Sequence, residues 1–255
     1  MNNCKKDLLK SGRRVSGFFH ILTELLFPLR CPVCDRPVRF PGKGICPECA
    51  VHLKPIREPY CGKCGKPVRD AAKEFCRDCT EKRHFYDRGI ALYPYSACHS
   101  TIYRLKYGGR REYAGYLSGK MAGVLGRQIL EWKPDALIPV PLHKERQKKR
   151  GYNQAQLLAE GIGKKLDIPI LSGYIVRTRN TLPQKAVEGG LRRNNLKSSF
   201  KIVQNDVKLN TIVIIDDIYT TGSTIDAVAK ECRRAGVKKI YFAVLAIGSD
   251  QKLQE

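Results

Sequence analysis

Residues 212–225 read IVIIDDIYTTGSTI: an apolar run meets two acids, Asp216 and Asp217, and after Tyr219 come Thr220, Thr221, Gly222, Ser223 and Thr224. These types, at the end of a buried strand, suit a phosphorylated sugar. Backbone N–H groups at a helix start, the helix dipole, a glycine permitting close approach and several hydroxyls together form a phosphate cradle. An ordinary helix cap accounts for one hydroxyl, not for four beside two acids. Adjacent acids next to a phosphate site are costly unless they serve hydroxyls or a metal. At an exposed strand tip, Asp216 and Asp217 are expected to accept from the two hydroxyls of a ribose, directly or through magnesium. Neither G-x-x-x-x-G-K-[ST] nor G-x-G-x-x-G occurs, which weighs against nucleoside triphosphates and dinucleotides.

A second chemistry sits in the cysteines. Eight of the eleven form four C-x-x-C pairs: Cys31 and Cys34, Cys46 and Cys49, Cys61 and Cys64, Cys76 and Cys79. The last four repeat the first four at an offset of thirty residues, an internal duplication. Two such knuckles close a tetrahedral Cys4 zinc site with no open position, so two structural zinc ions are expected. Disulfides need an oxidising compartment for which the chain shows no targeting signal, and four C-x-x-C pairs in register serve no redox relay. Sequential pairing follows from the duplication, and interleaved pairing stays open. So short a region has few large apolar residues, and metal binding supplies the free energy its core lacks. Cys4, Cys98 and Cys232 have no partner spacing and read as packing residues.

Both chemistries need elements to hold them. The apolar runs 135–140, 211–215 and 240–247 read as buried strands, separated by helical stretches. Ala155, Leu158, Ala159, Ile162 and Leu166 line one helical face, and Ile225, Val228, Ala229 and Cys232 another, with Gly236 as its stop. This alternation predicts an α/β fold with a parallel sheet, whose ligands sit at the carboxyl ends of the strands. The stretch from Phe18 to Leu29 follows basic residues but contains His20 and Glu24 and lacks a cleavage site. It reads as an amphipathic helix stopped by Pro28, neither a signal peptide nor a bilayer span.

The formal net charge is +23, which favours phosphate polyanions, nucleic acid above all, or an anionic membrane surface. Two basic loops are expected to flank the phosphate site. Residues 143–150 carry five basic groups against one acid, and residues 177–201 carry seven against one. They suit a pyrophosphate cup or a groove for single-stranded DNA, with Lys148, Lys149, Arg150, Arg177 and Arg179 as the DNA contacts. Tyr103, Tyr107, Tyr113 and Tyr116 interleave with Arg104, Lys106, Arg110 and Arg111. Base-stacking platforms have this composition, but the preferred reading is a helix with its tyrosines packed inward.

The acid pair and TTGST resemble the phosphoribosyl pyrophosphate (PRPP) motif of type I phosphoribosyltransferases. YRLKYGG (103–109), IPVPLHKERQKKRGYNQAQLLA (138–159), RTRNTLPQKAVEGGLRRNNLKSSF (177–200) and the cysteine pairs extend the likeness. Together they resemble the ComF family, a bacterial competence family. The resemblance implies an amino-terminal helical segment over 1–30, a double zinc ribbon over 31–84 and a type I phosphoribosyltransferase-like domain over 85–255. It implies that Asp216 and Asp217 take the ribose hydroxyls and Thr220 to Thr224 the 5-phosphate, with magnesium. The loop after Pro139 would bind pyrophosphate through the N–H groups of Val140 and Leu142 and the charges of Lys144 and Arg146. Residues 177–201 would close over the site, with Gln184, Arg192 and Arg193 as closing groups. The implied function is binding of single-stranded DNA during uptake, in the cytoplasm beside a helicase and the membrane channel. The alternative is a PRPP-dependent transferase of unknown acceptor. Nothing in the chain matches a glutaminase domain.

Overall fold

The structure is a computed structural model that describes residues 28–38, 44–178, 199–203 and 207–248. The expected helix before Pro28, Cys4, Arg179, Gln184, Arg192 and Arg193 lie outside the described residues. The chain divides into two compact units, Met1–Val51 and His52–Glu255. The division falls between the two ribbons. Among the described residues, no helix is long and apolar enough to cross a membrane.

The smaller unit holds the first ribbon. An isolated bridge pairs Arg30 with Pro37, and the Cys31 N–H donates to the Arg36 carbonyl while the Asp35 N–H donates to the Cys31 carbonyl. Such a turn brings both thiols of a C-x-x-C to one side. Helix α1 (Pro47–His52) begins just after Cys46 and carries Cys49. The second ribbon, in the larger unit, repeats this geometry thirty residues later. Tyr60 bridges Pro67, the Cys61 N–H donates to the Lys66 carbonyl, the Gly65 N–H donates to the Cys61 carbonyl, and α2 (Arg77–Glu81) carries Cys79.

The larger unit continues through β1 (Arg88–Pro94), α3 (Tyr95–Tyr107), α4 (Tyr113–Glu131), β2 (Ala136–Pro139), α5 (Lys144–Arg150), α6 (Gln154–Leu166), β3 (Ile175–Arg177), β4 (Phe200–Ile202), β5 (Thr211–Tyr219), α7 (Ser223–Arg234) and β6 (Lys239–Ile247). The main sheet is parallel in the order β1-β6-β5-β2, and β3 and β4 form a separate antiparallel pair. Ile212 to Ile215 are wholly buried, which is why these strands read as unbroken apolar runs rather than alternating ones. The expected faces of α6 and α7 are the buried ones, except that Leu166 is only half-buried. Cys98 and Cys232 are buried packing residues.

Two expected elements are corrected. The strand expected to end at Ile215 runs on to Tyr219, because β6 keeps pairing beside it, with Asp216 opposite Val244 and Tyr219 opposite Ile247. Residues 144–150 form a helix rather than a loop. The His143 side chain accepts from the Glu145 N–H at its start, Gly151 turns left-handed at its end (φ +81°), and Lys148, Lys149 and Arg150 complement the dipole.

The second ribbon shares a core with the sheet. Cys61, Cys64 and Cys76 are buried in one cluster with Tyr86, Tyr219, Phe242 and the inner residues of α7. The Gly89 N–H donates to the Lys63 carbonyl, and a Cβ on Gly65 would lie 3.0 Å from the Gly89 carbonyl oxygen, so the knuckle presses directly on β1. Lys66, also buried, is satisfied by Asp78 at 2.6 Å.

Candidate functional site

Asp216 and Asp217 are 7% and 2% exposed, not at an exposed tip. Carboxylates this deep must be paired or protonated. Lys106 Nζ, from the last turn of α3, lies 2.5 Å from Asp217 Oδ2. Gln154 Nε2, at the first position of α6, donates to Asp217 Oδ1 at 3.3 Å, and Gln154 Oε1 accepts from Arg150 Nη1 at 2.5 Å. Asp216 Oδ1 accepts the Asp217 N–H at 2.8 Å.

The two acids are therefore pushed apart. Burial, with the neighbouring Asp217, holds the Asp216 carboxyl well above the ordinary carboxylate range. Burial would raise Asp217 too, but the Lys106 ammonium and the hydrogen bonds from Lys106 and Gln154 outweigh it and hold its pKa down. For Lys106 the cost of burial is likewise outweighed by Asp217, and its pKa rises. The two carboxyls thus shift in opposite directions, as low dielectric requires of close acids.

Just beyond the pair, the chain turns into α7. Gly222 is left-handed (φ +77°), and a Cβ there would lie 2.4 Å from the Tyr219 hydroxyl. Only glycine fits. The helix has no side-chain cap at its start, and the Thr221 and Ser223 hydroxyls lie 3.1 Å apart. The acid in its first turn, Asp226, is turned to the ribbon linker, accepting the Phe85 N–H at 2.9 Å with His84 Nδ1 at 2.6 Å. Tyr219 is fixed by a 2.7 Å hydrogen bond with the Tyr86 hydroxyl and stacks on Phe242. The first amides of a helix have no acceptor within it, and the starts of helices are where proteins hold anions.

The β2 edge departs from expectation in one respect. The Val140 N–H donates to the Ile215 carbonyl at 2.9 Å, so it is part of the sheet and not open to a ligand. Pro141 has no N–H, and Leu142 is half-buried. Beyond it, α5 exposes Lys144, Lys148 and Lys149, with Arg146 and Arg150 half-buried. Arg177, half-buried at the end of β3, stacks on Phe200 at 5.4 Å. Burial lowers its pKa, Arg146 adds to this and Asp216 opposes it, which places Arg177 in the field of both Arg146 and Asp216.

Lys106 and Gln154 were not singled out as site residues by sequence reasoning. Gln154 left a signal, a polar residue on the buried side of an otherwise apolar helix face. The tyrosines divide: Tyr113 is buried and Tyr116 half-buried, but Tyr103 and Tyr107 point outward, against the expectation of inward packing.

Metal donors follow the two chemistries. The sulfurs of Cys31, Cys34, Cys46 and Cys49 lie within 4.8 Å of one another, and so do those of Cys61, Cys64, Cys76 and Cys79. Pairing is thus sequential, and each thiolate set fits a structural zinc ion. The acid pair supplies two residues only, one already holding an ammonium. That set suits a magnesium ion arriving with a polyphosphate rather than one caged by protein alone.

Comparison with known proteins agrees with this architecture. A double zinc ribbon domain family matches residues 22–80, and the phosphoribosyl transferase domain family matches residues 128–255. Competence protein F of Haemophilus influenzae is 31% identical over 230 residues, covering 86% of this chain and 97% of its own. The DNA utilization protein YhgH of Escherichia coli O157:H7 is 31% identical over 218 residues, covering 82% and 86%. Competence protein ComFC of Bacillus subtilis is 29% identical over 201 residues, covering 78% and 70%. The chain belongs to the ComF family, proteins that join a double zinc ribbon to a phosphoribosyltransferase domain.

Proposed function

We propose that this protein handles single-stranded DNA during uptake and carries a PRPP site. The observation that carries the reading is the convergence at the end of β5. A buried acid pair there is followed by a hydroxyl-rich helix start, and Arg150 of α5 is joined to the pair through Gln154. Asp216 and Asp217 serve the ribose hydroxyls, and the turn from Thr220 to Thr224 holds the 5-phosphate. Leu142, Lys144 and Arg146 meet the pyrophosphate. Magnesium, when bound with PRPP, would be held through Asp216 and the ligand's own oxygens and would neutralise pyrophosphate charge. The relatives' names, Competence protein F and DNA utilization protein, support the DNA role. A place in the cytoplasm at the inner face of the membrane, beside a helicase and uptake channel, fits that role.

The phosphoribosyltransferase match over residues 128–255 favours a second reading, transfer of phosphoribose to a nitrogen nucleophile. The bond from C1 of the ribose to pyrophosphate would break as the nitrogen bonds to that carbon and gives up a proton. Arg146 and Lys144 would stabilise the charge that develops on the departing group.

Anisotropy of a labelled oligonucleotide tests the DNA role. With about five phosphates neutralised, at a slope near −0.7 for each, affinity is expected to fall about a hundredfold between roughly 50 and 200 mM salt. Replacing Lys148, Lys149 and Arg150 by alanine is expected to flatten that slope. No binding in low salt would remove the DNA role and leave the transferase reading to account for the site.

A further inference from the structure

We propose that Tyr103 and Tyr107, with Arg150, form a stacking site for the bases of single-stranded nucleic acid. The inference rests on the reading that the protein binds such strands, and it names the side chains that meet the bases.

Helix α3 buries Cys98, Thr101, Ile102 and Leu105. Its other face carries Tyr103 and Tyr107 one turn apart, 64% and 67% exposed, with ring centroids 5.3 Å apart. Neither ring serves the core. Two adjacent large rings left in water are a binding feature more than a packing one. The Arg150 guanidinium lies over the Tyr107 ring at 5.2 Å. A planar cation on an aromatic face extends the platform, and bases stack on both kinds of surface.

The platform is tied to the acid pair from two sides. Lys106, between the two tyrosines in sequence, reaches Asp217, and Arg150 reaches the same carboxylate through Gln154. Lys148 and Lys149, on the same short helix as Arg150, are exposed to meet phosphates. Rings for bases and ammonium groups for the backbone on adjoining elements match the chemistry of a single strand. A duplex hides its base faces within its own stack and cannot use the rings.

The test compares a base-containing oligonucleotide with an abasic strand of equal length, at fixed salt, by anisotropy. The parent is expected to bind the abasic strand about a hundredfold more weakly, because stacking contributes about tenfold or more for each base lost. Tyr103→Ala with Tyr107→Ala is expected to lose the same factor on the normal strand while keeping its salt slope. Tyr103→Phe with Tyr107→Phe is expected to restore binding. The abasic arm uses the parent protein and needs no variant to fold. Equal affinity for both strands, or a double alanine variant that binds like the parent, would overturn the stacking site but leave a charge-based DNA role standing. A parent that binds neither strand would overturn both.

Discussion

Asp217→Asn is expected to lower the thermal midpoint of the larger unit by about 10 °C, whereas Asp216→Asn leaves it unchanged or raises it. Both changes are expected to abolish PRPP binding. The asymmetry comes from the division of charge between the acids. Asparagine at 217 leaves the Lys106 ammonium without its counter-ion. Breaking a buried pair this way costs about 3–5 kcal/mol, toward the lower figure here because the Lys106 side chain keeps 18% exposure. For a unit of this size, about 3 kcal/mol corresponds to that midpoint shift. Asparagine at 216 removes a carboxyl whose charged form burial and Asp217 already disfavour, so little is lost.

The pH dependence has opposite signs for the two acids. The folded pKa of Asp217 is depressed, so its stabilisation is present above the ordinary carboxylate range and is lost as pH falls through the lowered value. The folded pKa of Asp216 is raised, so the native state holds a proton the unfolded chain has released. Stability therefore declines as pH rises from the ordinary carboxylate range to that raised value. Asp216→Asn is expected to abolish this decline in calorimetric scans over pH. Equal midpoints for the two variants would contradict the division of charge.

Cys64→Ser is expected to remove the cooperative unfolding transition of the larger unit, while Cys34→Ser leaves that transition in place. Each variant is expected to retain one zinc ion by metal analysis, against two for the parent. A structural zinc site contributes about 10–16 kcal/mol in isolated ribbon-sized peptides, as much as the whole stability of an ordinary domain. Cys64 is fully buried in the core that contains Tyr219 and Phe242, so loss of its metal opens the support beneath the turn from Thr220 to Thr224. Cys34 is only half-buried and belongs to the other unit. Equal loss of the transition in both variants would contradict the separate roles of the ribbons.

What could be read from the residues, and what could not, follows from where each signal resides. The zinc ligands were legible because C-x-x-C spacing and the thirty-residue offset are local in sequence, and the sequential pairing preserves that locality. The inner faces of α6 and α7 were legible from helical periodicity. The acid pair stands out in the sequence, but its burial does not. Its burial depends on Lys106, brought in from α3, and on β6 continuing beside β5, which no local pattern records. Helix α5 escaped notice because HKERQKKR has no apolar period, although Gly151 after a basic last turn is a stop signal. The outward tyrosines were misread because Tyr103 and Tyr107 share one face at a spacing of four, while Ile102 and Leu105 fill the face that the core needs. The Val140 amide pairs with the Ile215 carbonyl, and strand pairing past Pro139 is a tertiary matter that no local pattern records.

The measurement that bears most directly on the account is calorimetric titration of PRPP into the parent protein, with and without magnesium. The account predicts one site per chain, strengthened by magnesium and abolished in both Asp216→Asn and Asp217→Asn, with Asp216→Asn still folded. No heat of binding in the parent, or undiminished affinity in both variants, would contradict it.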